Sequence, residues 1–361
     1  MAGKIIVAGH ICLDITPVFQ AEKSQPLAQI LTPGKLIQMQ GVNINTGGAV
    51  ANTGLALKVL GADVALMGKV GDDAFGRIVL ERLDRYGLRE GMIVSRDSGT
   101  SYSVVIAPPG TDRIFLHDPG ANDTFRGEDL DFSKIAQADH FHFGYPPIMR
   151  HMYENDGEEL EGIFRRVKEL GLTTSLDMAA VDPASDAGRA DWERILRRVL
   201  PYVDYFVPSV EELCFMADRA RYDQWTQRAQ GRDLTAVLCL EDVRPLARKV
   251  LAMGAARLLV KCGTPGMYYI DGEREIFQRS YKPQRVLSAT GAGDTSIAAF
   301  LKARMDNLPI DICLRYAAAT GASCVEVYDA LSGLRSFEEL DEKLQAGWET
   351  QDLWEETGTH C

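Results

Sequence analysis

The stretch Thr290-Gly291-Ala292-Gly293-Asp294 runs directly into TSIAAFLKA, so two glycines and an acid open a helix whose first turn is built of small residues. Unpaired N–H groups and the positive end of the helix dipole make such a start an anion site, and glycine lets a phosphate approach the backbone. A carboxylate there can take the proton of an attacking hydroxyl while the backbone of Gly291, Ala292 and Gly293 holds charge on a transferring group. Taken alone, Asp294 reads more simply as a cap on a helix after a tight glycine turn. A second glycine pair supplies context. Residues 45–61 read NTGGAVANTGLALKVLG, in which Gly47 and Gly48 precede a helix of small residues carrying Asn52. The Asn52 amide both donates and accepts, as recognition of sugar hydroxyls requires. In isolation it is equally a polar residue on a solvated helix turn.

These groups need a scaffold. Residues 4–9 (KIIVAG) form a continuous apolar run ended by glycine, the pattern of a strand buried on both faces of a parallel sheet. Helices expected at about 49–60, 73–87, 157–170, 190–200, 243–253, 293–305 and 309–326 alternate with strands at 63–69, 91–94, 139–143, 173–177, 203–207 and 256–261. This β-α punctuation predicts an α/β fold with a doubly wound, mainly parallel sheet sandwiched by helices. Residues 36–46 and 101–117 are instead rich in β-branched residues, and Pro-Pro-Gly-Thr-Asp at 108–112 reads as a hairpin turn. They predict a small β-sheet over the carboxyl edge of the main sheet, where α/β folds bind ligands. Residues 16–35 read as an irregular loop feeding that lid.

Together the two glycine motifs resemble the paired signatures of the PfkB, or ribokinase-like, carbohydrate kinase family. Residues 46–76 are similar to the first signature, with Gly47-Gly48, Gly61-Ala62-Asp63-Val64, Gly68 and Val70-Gly71-Asp72-Asp73-Ala74-Phe75-Gly76; residues 288–301 are similar to the second. The resemblance covers roughly residues 4–335. It implies a ribokinase-like kinase domain over 1–335, with a lid from about 15–46 and 98–121 and a helical tail at 336–361. It also implies an ATP- and Mg2+-dependent enzyme that phosphorylates a hydroxyl of a sugar or nucleoside. Asp294 would be its base and the loop 291–294 its anion hole. Asp14, placed by the resemblance at the end of the first strand, would grip the acceptor with Gly47, Gly48 and Asn52. Asn122, in Pro119-Gly120-Ala121-Asn122, matches the element that closes the lid, Gly144 and Tyr145 follow a strand whose end lines the substrate pocket, and the resemblance implies that all three contact the acceptor. In Lys261-Cys262-Gly263-Thr264-Pro265-Gly266, residues Lys261, Gly263, Thr264 and Gly266 would flank ATP. Relatives also suggest a homodimer through the lid strands.

Two departures matter. The family's Asn-x-x-Glu appears as Ser209-Val210-Glu211-Glu212, which keeps Glu212 for an indirect, water-mediated role toward Mg2+ but puts Ser209 where Asn is expected. Ser288-Ala289-Thr290 replaces an Asp-Thr-Thr tied to a monovalent cation, which argues against that cation here. Without the family pattern, Glu212 is an ordinary helix residue beside Glu211.

The remaining features exclude more than they assign. With 51 acidic against 39 basic residues, the net charge of −12 disfavours nucleic acid as a partner. The apolar runs are too short to span a bilayer, no signal peptide is evident, and the chain reads as cytoplasmic. Seven scattered cysteines read as reduced thiols. His140 and His142 share a strand face without a third metal ligand, and Asp177, at a strand end, could face the same cleft or be a plain turn former. No Arg or Lys is assigned to the acceptor pocket, which disfavours a phosphorylated or carboxylated acceptor. The rival readings are a catalytically silent sugar- or nucleoside-binding protein of the same fold and an NAD-dependent Rossmann enzyme. The latter lacks its glycine fingerprint, since residues 9–14 read GHICLD.

Overall fold

The computed structural model describes residues 3–20, 32–108, 113–329 and 331–354. The expected turn residues 109–112, the loop residues 21–31 and the end of the tail at 355–361 lie outside these.

Strand β1 (Lys4–Gly9) is the middle of the molecule. It pairs in parallel with β4 (Asp63–Gly71) on one side and β8 (His140–Gly144) on the other, Ile5 standing opposite both Val64 and His140. The full sheet has nine strands in the order β13-β12-β11-β10-β9-β8-β1-β4-β5. Here β5 is Met92–Ser95, β9 Thr173–Asp177, β10 Tyr205–Phe206, β11 Arg257–Lys261, β12 Gly266–Asp271 and β13 Glu275–Arg279. Only β11-β12-β13 run antiparallel, as a meander closing one edge.

Numbering the helices of eight residues or more, α1 (Ala49–Val59), α2 (Ala74–Asp84), α8 (Ala292–Met305), α9 (Ile310–Cys324) and α10 (Phe337–Gln345) cover one face. The other carries α3 (Glu158–Glu169), α4 (Trp192–Val199), α5 (Val210–Ala217), α6 (Arg219–Ala229) and α7 (Leu240–Ala252). Strand periodicity divides β1 accordingly, Ile5 and Val7 entering one core and Ile6 and Ala8 the other. That two-sided burial is why KIIVAG carries no polar residue after Lys4.

A separate four-stranded sheet, β3-β2-β6-β7, is formed by β2 (Cys12–Val18), β3 (Gly41–Gly47), β6 (Tyr102–Ile106) and β7 (Ile114–Asp118). The expected small sheet is therefore present, but it begins at Cys12 rather than 15, and residues 36–40 are not in strand. Asp14 accordingly lies inside β2, not at the end of the first strand. Gly9, at φ 120°, ends β1, where a Cβ would stand 2.3 Å from the Gly144 carbonyl oxygen. Strand β2 escapes sequence reading because most of it is only half-buried, which blurs alternation, and because it contains Pro17. Helix α5 escapes for the opposite reason: Val210 and Leu213–Ala217 are all buried, leaving no polar stripe.

After α10 the described tail is extended rather than helical. Thr350 bridges to Tyr281, Trp348 packs on Tyr281 with ring centroids 4.9 Å apart, and Trp354 stacks on Phe277 at 5.8 Å. Cys12, Cys214, Cys262, Cys313 and Cys324 are free and buried, as expected of thiols in apolar surroundings, whereas Cys239 is disulfide-bonded. Among the described residues no helix is long and apolar enough to cross a membrane.

Candidate active site

The sheet brings the two glycine motifs together across 242 residues, where Asn52 Nδ2 donates to Asp294 Oδ2 at 3.0 Å. Helix α8 starts after Gly291, which sits in the left-handed region at φ 72°. That turn aims the first amides of α8 out of the carboxyl edge of the sheet and leaves Asp294 in the first helical turn, 4% exposed. Tyr145 OH donates to both carboxylate oxygens, at 2.7 and 2.9 Å. Burial raises Asp294 above the ordinary carboxylate range, while the charge of Lys261 and the donors Tyr145 and Asn52 pull it back. Tyr145, itself buried beside Asp294, stays protonated and so remains a donor.

Asp14 projects from β2 beneath the Gly47–Gly48 turn. A Cβ at Gly47 would meet its carboxylate at 2.4 Å, and one at Gly48 would meet His10 Nδ1 at 2.5 Å, so both glycines are there for close approach. Burial pushes Asp14 up to about 6, with Asp294 adding to the rise and Cys12, Ser103 and Arg113 opposing it. His10 packs between Tyr145 and the β7 residue His117, with ring centroids 6.0 and 5.1 Å away, and Ser103 Oγ lies 3.0 Å from His117 Nδ1. Neither imidazole was signalled by any motif. A polar wall thus runs from Asp14 past Ser103, His117, His10 and Tyr145 to Asp294.

Two expected contacts are committed elsewhere. The Asn122 amide is wholly buried and bonded to the Ile11 N–H, the Ile11 carbonyl and the Pro119 carbonyl, so it braces the start of β2. Gly144 is pressed against α1, since a Cβ there would lie 2.1 Å from that of Ala49.

Lys261 ends β11 and reaches across the cleft to Asp177 Oδ1 at 2.5 Å. Arg113, at the start of β7, donates to Thr290 Oγ1 of the anion-site loop. Arg113, whose charge also acts on Asp14, overturns the expectation that the acceptor pocket holds no cation. Asp177 is no turn former on the surface but fully buried.

The pfkB family carbohydrate kinase model matches residues 3–336. The chain belongs to that family. An uncharacterized sugar kinase of Archaeoglobus fulgidus is 27% identical over 78% of this chain and 98% of the relative. The 2-dehydro-3-deoxygluconokinase of Thermoproteus tenax is 26% identical, covering 89% and 93% of the two chains. The fold superposes on Arabidopsis thaliana ribokinase complexed with ribose and ATP with a TM-score of 0.74 at 21% identity, over 96% and 99% of the two chains. The protein is thus a phosphotransferase of the sugar kinase type with a ribokinase-like fold.

In this kinase the stretch 261–266 is a tight turn from β11 into β12. Gly263 (φ 64°) and Thr264 are exposed at its lip, while Gly266 is buried under β13, where a Cβ would lie 2.1 Å from the Gln278 carbonyl oxygen. Glu212 closes a reciprocal capping box on α5, its Oε2 accepting from Ser209 N at 2.7 Å while Ser209 Oγ accepts from Glu212 N at 3.2 Å. Ser209 in place of Asn therefore has a local job. Ser288 Oγ accepts from Thr290 N at 3.1 Å and brings no carboxylate to the loop. His140 and His142 both meet Ser175 Oγ at 2.7 Å inside the sheet. Among the described residues no group of three or more His, Cys, Asp or Glu could hold a metal ion.

Proposed function

We propose that the kinase transfers the terminal phosphate of ATP to a hydroxyl of a sugar or nucleoside, with Asp294 as base and the Gly291–Asp294 loop as anion hole. What carries this reading is the buried Asp294 carboxylate in the first turn of α8, oriented by Asn52 and Tyr145 and faced by Lys261. Asp294 takes the acceptor's proton, the acceptor oxygen bonds to the γ-phosphorus in line, and the bond to the bridging oxygen breaks to release ADP. The amides of 291–294 and Lys261 offset charge on the transferred group. Asp14, with the backbone of Gly47 and Gly48, holds the acceptor's other hydroxyls, and Gly263 and Thr264 flank the nucleotide.

The residues suit a Mg2+ ion carried by the phosphates rather than caged by protein, with Glu212 reaching it through water. When bound, that ion offsets charge on the β- and γ-phosphates. The small sheet acts as a lid that excludes water, a competing nucleophile. Its edge strand β7 leaves Ile114, Phe115 and Leu116 41%, 49% and 57% exposed, which suits edge pairing with a second copy, and light scattering tests that pairing. The reading carries with it action in the cytoplasm.

Arg113 beside Asp14 makes a carboxylated acceptor as acceptable as a neutral one, and 2-dehydro-3-deoxygluconate, named for the Thermoproteus tenax relative, belongs in the substrate panel with ribose, fructose and nucleosides. An ADP-release assay across that panel is expected to find turnover that Asp294→Asn lowers by on the order of 100-fold or more. A panel that melts the protein at higher temperature without releasing ADP would instead favour the silent binding protein.

A further inference from the structure

Asp177 has no part in the mechanism above, yet it is the most enclosed carboxylate of the cleft. It ends β9 with no exposure, its Oδ1 accepts from Met178 N at 2.8 Å and from Lys261 Nζ at 2.5 Å, and its Oδ2 has no partner. Burying a charge this completely is unfavourable unless it is paired, and a strand-end aspartate that merely formed a turn would face water. The pairing spans two strands, because β9 and β11 flank β10. Lys261 is well placed to be held. Its backbone N–H bonds to the Pro208 carbonyl, and its side chain, 13% exposed, lies over the anion loop, where a Cβ on Gly293 would stand 3.4 Å from Cδ and 3.9 Å from Nζ.

The surrounding charge explains why such a hold is needed. Asp177, Glu212 and Asp294 all act on Lys261 and on one another, so three carboxylates surround a site that must accept a polyphosphate. A free lysine would spread its ammonium over many rotamers and order it only at an entropic cost. A carboxylate that accepts a hydrogen bond from one of the three ammonium N–H groups is neutralised by the ion pair and leaves the other two N–H donors for a phosphate oxygen.

Resting on the kinase reading, we propose that Asp177 is a positioning residue that holds the Lys261 ammonium over the Gly291–Gly293 loop to meet the terminal phosphate of the nucleotide. It acts only through that lysine. This makes Asp177 and Lys261 one device, and their losses do not add.

Calorimetric binding of Mg·AMP-PNP and of ADP, which needs no acceptor, tests this on the wild type, Asp177→Asn, Lys261→Met and the double variant. Each single change is expected to weaken AMP-PNP by about 10-fold, the scale of one charge-assisted hydrogen bond, and ADP by less than about 3-fold. The double variant is expected to bind as Lys261→Met does, and Asp177→Glu to recover part of the loss. Losses that multiply in the double variant, an Asp177→Asn protein with wild-type affinity, or equal losses for ADP would each overturn the proposal. If Asp177→Asn does not fold, comparing Lys261→Met with the double variant decides by the same criterion. A wild-type chain that binds no Mg·AMP-PNP would overturn the kinase reading itself, and with it this role. Tight wild-type binding with multiplying losses would overturn the positioning role alone.

Discussion

The halves of the cleft proposed to face the phosphate and the acceptor are held by different means. On the phosphate side, the anion loop, Asp294, Lys261 and Asp177 all belong to elements of the main sheet or to the helix packed on it, and their positions follow from backbone buried in two cores. On the acceptor side, Asp14, Ser103 and His117 belong to the small sheet and meet His10 and Tyr145 of the body only across a seam. Both halves depend on a glycine, but for different reasons. Gly291 supplies a left-handed turn at φ 72°, whereas Gly47 supplies space for the Asp14 carboxylate. One half is therefore sensitive to backbone conformation and the other to side-chain volume. On the proposed function, chemistry rests on the half built from the main sheet and specificity on the half that includes the small sheet.

That contrast can be broken most sharply at Asp294. Asp294→Asn should lower turnover by on the order of 100-fold or more with ADP affinity nearly unchanged, as measured by steady-state rates and calorimetry. Near wild-type turnover would remove it from the base role. Next, Gly47→Ala pushes a methyl into Asp14 and should raise the acceptor KM by about 10-fold while leaving the ATP KM within about 2-fold. A change in both constants would mean that the halves are not separable. Asn52→Ala should fall between these, since Asn52 belongs to the acceptor helix yet orients the base; turnover should drop by about 10-fold, one charge-assisted hydrogen bond.

Smaller effects sharpen the electrostatics. Asp294 must be ionised to accept a proton, and its raised pKa means that turnover is lost as pH falls through a range above that of an ordinary carboxylate. Tyr145 donates to the ionised form, so Tyr145→Phe should move this acidic limb to higher pH in a pH–kcat profile. Asp14 carries the corresponding signal in stability. Its folded value of about 6 lies above the unfolded value near 4, so the unfolded chain ionises first and stability declines as pH rises between them. The difference in melting temperature between the wild type and Asp14→Asn, followed from pH 4 to 7, should show this decline, because the opposing rise from the buried His140 and His142 and the falls from Asp177 and Asp294 are common to both proteins.

Much of this was legible in the chain itself. The β-α alternation is a direct print of burial, and KIIVAG, TTSLD and the glycine-led helices at 49 and 292 lie where their patterns put them. The antiparallel hairpin β12–β13 was not legible, and no element was expected between the strand at 256–261 and the helix at 293–305. Asn122 illustrates a different limit. Its motif was read for contact with the acceptor, yet its amide is spent on the backbone of Ile11 and Pro119, and no residue type reveals which partner claims a side chain.

By itself, then, the sequence determined where strands and helices alternate and where glycine permits an anion to approach a helix start, because periodicity and backbone freedom are local properties. Only the tertiary structure decided that Asp177 meets Lys261, that Arg113 reaches Thr290, and that His10 and His117 line the wall beside Asp294. Those pairings join strands and sheets far apart along the chain, and their partners are selected by strand order and by the direction each strand end points, which no window of residues encodes.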